Sequence, residues 1–167
     1  SFVWLAEAAD VEVTLERAEP GQIVEPRRTS RRRTASLDGL RVLCIENEPP
    51  VLEATLALLR RWGCDARGAA DRVQAETAFP DAAPDFVLLD FMLDDGDTGP
   101  RVYEHLCAMW EMRPAGLVAT AERGGHADAA ARQSGLEILR KPVAPAALRA
   151  AIGELARRRR SGRAQAA

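Results

Sequence analysis

Four short apolar runs in this sequence each give way to a side chain that can handle a metal ion or a phosphoryl group. Residues 41–45 (RVLCI) lead into Glu46, Asn47 and Glu48, and 86–89 (FVLL) into Asp90. Residues 116–119 (GLVA) lead into Thr120, and 136–139 (LEIL) into Arg140 and Lys141. Carboxylate and amide oxygens suit a hard cation such as Mg²⁺. A carboxylate can also attack phosphorus, while a hydroxyl and an ammonium bind phosphoryl oxygens. A lone aspartate after a strand is more often a turn or cap residue, so the weight falls on the set. Lys141 stands out by composition: 22 of the 23 basic residues are arginine, and it is the single lysine. A compact ammonium reaches a phosphoryl oxygen where a planar guanidinium does not fit equally well.

These residues act together only if the chain brings them to one place. RVLCI has the continuous apolarity of a buried parallel strand. Pro49 and Pro50 then open a helix with Val51, Leu52, Leu56 and Leu59 on one side, ending near Gly63. Residues 64–69 read as a short strand, and Asp71 caps a helix reaching Phe79. The apolar run at 86–89 carries straight into Asp90, followed by an acidic loop at 93–99 (LDDGDTG). A helix at 100–112, a strand at 116–119, a short helix at 127–134, a strand at 136–139 and a helix at 146–158 complete the pattern. Five strands alternating with five helices over about 115 residues predict an α/β fold. Right-handed crossovers make it a doubly wound, five-stranded parallel sheet with helices on both faces. Ligands of such sheets bind beyond the carboxyl ends of the strands, the rim where Glu46, Asp90, Thr120 and Lys141 fall.

In order and interval these residues resemble the receiver domain of two-component response regulators. The motifs are VLCIENEPP at 42–50, PDFVLLDFMLDDGDTG at 84–99, LVATAE at 117–122 and LRKPV at 139–143. The resemblance implies a flavodoxin-like receiver fold over residues 40–156. It implies that Asp90 is the phosphoacceptor and that Mg²⁺ is held by Glu46, Asn47, Asp90 and the backbone carbonyl of Met92. It makes Thr120 the switch hydroxyl and Lys141, followed by Pro142, the phosphate-binding lysine. Met92 and Glu122 match positions flanking the water path to the phosphorylated aspartate. The implied partner is a histidine kinase or a histidine phosphotransfer protein, with a homodimer left open. No independent enzyme is expected, only a domain that promotes its own phosphotransfer and dephosphorylation.

Two positions depart from the family pattern. Asn47 stands where a second acid is usual, which removes one formal charge from the metal site while keeping an oxygen. Ile138 stands where an aromatic switch residue is often found. Both fit an alternative, a receiver-like interaction module that is no longer phosphorylated. A phosphatase of the haloacid dehalogenase type also uses a strand-end Asp, Thr and Lys. It needs a second acid two residues after the nucleophile, where this chain has Met92.

The remaining sequence sets the context. Residues 40–150 carry a net charge of −5, which does not suggest a nucleic-acid surface. The arginines at 27, 28, 31, 32 and 33 have no interleaved aromatic for base stacking and read as a solvated tether. No apolar run approaches the roughly 20 residues of a membrane span, and the first residues lack the basic segment of a signal peptide. Cys44, Cys64 and Cys107 form no CxxC pair, which fits a reducing cytoplasm rather than a disulfide framework or zinc. Cys44 reads as core. His105 and His126 have no companions at ligand spacing, and Asp94, Asp95 and Asp97 miss the calcium-loop pattern and read as a solvated loop.

Residues 1–19 read as the end of a preceding domain, with Val11, Val13 and Leu15 alternating as in a strand, and 20–39 as a linker. Residues 157–167 read as a basic tail too short for a DNA-binding domain. That order looks like the end of a hybrid sensor histidine kinase, whose ATP-binding domain would close at 1–19. A stand-alone receiver with a disordered leader is the alternative.

Overall fold

The computed structural model describes residues 36–80 and 82–165, with side chains at all of them except 95 and 160–165. The strand expected within 1–19 and the arginine-rich tether lie outside the described residues. Five strands form one sheet: β1 (Arg41–Ile45), β2 (Asp65–Ala69), β3 (Phe86–Asp90), β4 (Ala115–Thr120) and β5 (Glu137–Arg140). The helices are α1 (Pro49–Arg61), α2 (Arg72–Ala78), α3 (Gly99–Trp110), α4 (Gly125–Gln133) and α5 (Pro145–Gln165). The sheet is parallel throughout in the order β2-β1-β3-β4-β5, so the winding reverses between β1 and β3. Such a reversal leaves a crevice at the carboxyl ends of those two strands.

Both faces of the sheet centre are buried, which is why β1 and β3 read as apolar runs, while the edge strand β2 (DARGA) exposes Asp65 and Arg67. Side chains alternate across a strand, so Leu43, Ile45, Val87, Leu89 and Val118 enter one core. Val102 and Leu106 of α3, Ala127 and Ala131 of α4 and Ala75 of α2 cover it. Val42, Cys44, Phe86, Leu88 and Leu117 enter the other, beneath Leu59 of α1 and Leu148 and Ile152 of α5. Asp71 caps α2 as expected, accepting from the Gln74 amide at 2.8 Å. Among the described residues no helix is long and apolar enough to cross a membrane.

Two expected boundaries move. The linker was expected to run to 39, but Leu37 is 1% exposed inside the α1–α5 core. Its carbonyl accepts from the Leu40 amide and from the Cys64 thiol. The basic tail was expected from 157, but α5 continues to Gln165. Its arginines find acids on neighbouring elements. Arg158 pairs with Glu137 at 2.7 Å, and Arg159 meets Asp85 at both the carboxylate (2.8 Å) and the carbonyl (2.7 Å).

Candidate functional site

The expected residues gather at the carboxyl rim of β1, β3, β4 and β5. Lys141 follows β5, two strands from β3, and adjacent strands lie about 4.8 Å apart. Only a long side chain spans that gap. Its Nζ passes over the end of β4 and meets Asp90 Oδ1 at 2.9 Å and Glu46 Oε2 at 3.1 Å. The backbone anchors this reach, since the Lys141 amide donates to the Thr120 carbonyl at 2.9 Å. The Lys141–Pro142 peptide is cis.

Asp90 closes β3, and its Oδ1 also accepts from the Phe91 amide at 2.7 Å. Glu46 is 5% exposed, with Oε1 accepting from the Glu48 amide at 3.2 Å. Burial, then the Asp90 charge, push the Glu46 carboxyl above its usual range, and Lys141 offsets them only in part. Burial alone would lower Lys141. The hydrogen bond and charge of Asp90, then those of Glu46, outweigh it and hold the ammonium above its usual range. The site is thus a buried pair of carboxylates held together by one ammonium.

Thr120 is buried at the end of β4, its Oγ1 accepting from the Glu122 amide at 3.0 Å. Glu122 turns its carboxylate towards the start of α4, where Oε2 accepts from the Ala127 amide at 3.2 Å, and so serves as a cap in this conformation. Arg140 donates to the Glu122 carbonyl and to the Asp128 carboxylate. Ile138 packs against the α3–α4 core.

The loop after β3 is closed by an antiparallel bridge between Met92 and Thr98, and the Gly99 amide donates to the Phe91 carbonyl at 3.0 Å. A Cβ on Gly99 would lie 2.3 Å from the Asp90 carbonyl oxygen, so only glycine lets α3 start this close to the site. The Met92 side chain is 59% exposed at the rim, and its backbone belongs to that loop.

Asn47 is expected to offer an oxygen and Asp94 to be a solvated acid, and Asp94 is exposed. The structure joins them: Asn47 Nδ2 donates to Asp94 Oδ1 at 2.6 Å. Among the described residues Asn47 Oδ1 is one of two buried side-chain polar atoms with no hydrogen-bond partner. A buried, unpartnered amide oxygen on the residue that follows Glu46 fits a hard divalent cation. Among the described residues no three His, Cys, Asp or Glu side chains group to hold a metal ion, and a cation here would need the Asn47 amide oxygen as well. The signal for Asp94 lay in Asn47 itself, since an amide that turns its oxygen inwards leaves an NH₂ end that needs an acceptor.

The two histidines complete the polar candidates. His105 hydrogen-bonds Glu76 at 2.8 Å, and exposed His126 packs edge-on against Phe91. Cys44 is core, as expected, and burial pushes its thiol up to about 12.

The family model of the response regulator receiver domain matches residues 42–153. Comparison with curated proteins finds no match. A response regulator receiver domain protein from Clostridium thermocellum is 22% identical with a TM-score of 0.63, covering 72% of this chain and 97% of its own. A CheY-like receiver domain protein from Methanospirillum hungatei is 20% identical with a TM-score of 0.65, covering 74% and 99%. These two show the fold. The REC domain of the PhyR response regulator from Erythrobacter litoralis is 29% identical with a TM-score of 0.58, covering 72% and 92%.

Proposed function

This chain belongs to the response regulator receiver family, and from that premise we propose that Asp90 accepts a phosphoryl group from a phosphohistidine. The observation that carries the proposal is the meeting of Lys141 Nζ with Asp90 Oδ1 and Glu46 Oε2 at the sheet rim. The donor is a histidine kinase or a histidine phosphotransfer protein, and three buried thiols without a disulfide suit the cytoplasm.

In the transfer a carboxylate oxygen of Asp90 bonds to phosphorus as the P–N bond to the donor imidazole breaks. The electron pair returns to the ring nitrogen, which takes a proton from solvent. Both present contacts to the Asp90 carboxylate fall on Oδ1, leaving Oδ2 as the nucleophile. Lys141 exchanges its carboxylate partner for a phosphoryl oxygen. Thr120 Oγ1 already accepts from the Glu122 amide and has its own proton to give to another phosphoryl oxygen. Glu46, Asn47, Asp90 and the Met92 carbonyl would hold Mg²⁺, which supplies positive charge between the two anionic reactants. With Asn47 neutral, the residues offer two carboxylates and would hold the cation less tightly than three.

The test is incorporation of label from acetyl phosphate or a phosphorylated kinase, with and without chelator. Labelling that needs the cation and disappears in Asp90→Asn is expected. Equal labelling of wild type and Asp90→Asn would remove the assignment. No labelling by any donor would favour the unphosphorylated interaction module, to which neutral Asn47 and aliphatic Ile138 point.

A further inference from the structure

We propose that Asp94 is a positioning residue for the cation site, holding Asn47 so that its oxygen, not its nitrogen, is presented there. The inference rests on the reading of the rim as a phosphoryl-transfer site. A side-chain amide can turn over, exchanging a donor for an acceptor of nearly the same shape. The contact with Asp94 removes that choice. At 2.6 Å, Nδ2 donates to a carboxylate, a short and charge-assisted bond. The flipped amide would set two acceptor oxygens against each other.

The orientation works against what Asn47 would adopt alone. Its Oδ1 is buried without a partner, a state that costs free energy until a ligand satisfies it, so another contact has to hold the amide this way round. Asp94 has the backbone support to do so. It opens a short 3₁₀ turn, Asp94–Gly96, in which the Asp97 amide donates to the Asp94 carbonyl at 3.1 Å. The Met92–Thr98 bridge closes the same loop, so the carboxylate is anchored to the backbone that carries Met92. Asp94 also restores negative charge one bond removed. A carboxylate accepting from the NH₂ group polarises the amide and raises electron density on Oδ1, as partners of metal ligands commonly do. The acid missing at 47 thus acts from 94, through a neutral ligand.

The experiment uses the full chain, with Mn²⁺ as the probe read by its electron paramagnetic resonance. The Asn47 side-chain amide is followed by NMR and assigned by its absence in Asn47→Asp. In wild type one Asn47 NH₂ proton should resonate well downfield. Asp94→Ala should abolish that shift and weaken Mn²⁺ binding about tenfold, the low end for a residue behind a metal ligand. Asp94→Asn, which can still accept from the amide, should recover part of both and decides the matter if Asp94→Ala fails to fold. Asp97→Asn should leave both unchanged, and an equal loss there would reduce Asp94 to a general charge effect and overturn the proposal. If Mn²⁺ binding is lost in Asp90→Asn but equal in wild type and the Asp94 variants, the proposal fails and the rim reading stands. If Asp90→Asn leaves Mn²⁺ binding intact, the rim reading fails and the proposal falls with it.

Discussion

Replacing Lys141 by methionine keeps most of the side chain's length and bulk while deleting the ammonium between Glu46 and Asp90. Those two side chains are only 7% and 10% exposed, so water screens their repulsion poorly. Removing one partner of a buried ion pair costs about 3–5 kcal/mol. Lys141 is 27% exposed, which lowers the expected loss to about 2 kcal/mol. For a domain of this size each kcal/mol moves the midpoint by roughly 3–5 °C, so the variant should melt about 8 °C lower at pH 7 without divalent cation. The ammonium is held above its ordinary 10.5, so its contribution is complete below that pH and is lost as pH rises through the folded value. The gap to wild type should also narrow in acid, where Glu46, raised above 4.5, takes up a proton and the repulsion ends. Mg²⁺ at tenfold its Kd stabilises by about 1.4 kcal/mol. The rise should be larger in Lys141→Met, because the competing ammonium is gone. The assay is thermal unfolding by circular dichroism at pH 5 and 7, with and without Mg²⁺. A variant that melts like wild type at pH 7, or gains no more than wild type from Mg²⁺, would refute this account.

The remaining expectations concern the residues around that pair. Glu46→Gln should raise the melting midpoint at pH 7 and weaken Mn²⁺ binding, because a carboxyl pushed above 4.5 stabilises the fold only while protonated and costs stability once ionised; a lower midpoint would contradict this. Gly99→Ala should destabilise by about 1–3 kcal/mol and weaken cation binding, since its Cβ meets the backbone carbonyl of Asp90. Gly116→Ala should cost less, because the contact at 2.4 Å is a Leu136 methyl that can swing aside; equal melting losses in the two would be evidence against the distinction. Leu37→Ala in the full chain should cost about 2 kcal/mol in urea unfolding, and an unchanged midpoint would return residue 37 to the linker.

The central strands were legible because a parallel sheet buried on both faces needs apolar runs, and those of β1, β3 and β4 end on or just before a residue of the rim. RVLCI and FVLL lie in β1 and β3 with no shift in register against Glu46 and Asp90. The features not legible in the sequence depend on partners far along the chain. Leu37 sits between Ser36 and Asp38–Gly39, turn-forming residues that hide its burial under α1 and α5. The end of α5 has no apolar period to read, and Arg158 and Arg159 are paired to acids on β5 and before β3. Asp94 lies 47 residues from Asn47, so spacing alone left it a solvated acid.

Arg140 and Lys141 share one peptide bond at the end of β5, and successive side chains of a strand point to opposite sides. One grips the Asp90–Glu46 pair and the other grips Glu122 and Asp128. Between them the Lys141 amide donates to the Thr120 carbonyl. One peptide bond thus ties the carboxylates at the ends of β1 and β3 to the first turn of α4, which carries Asp128.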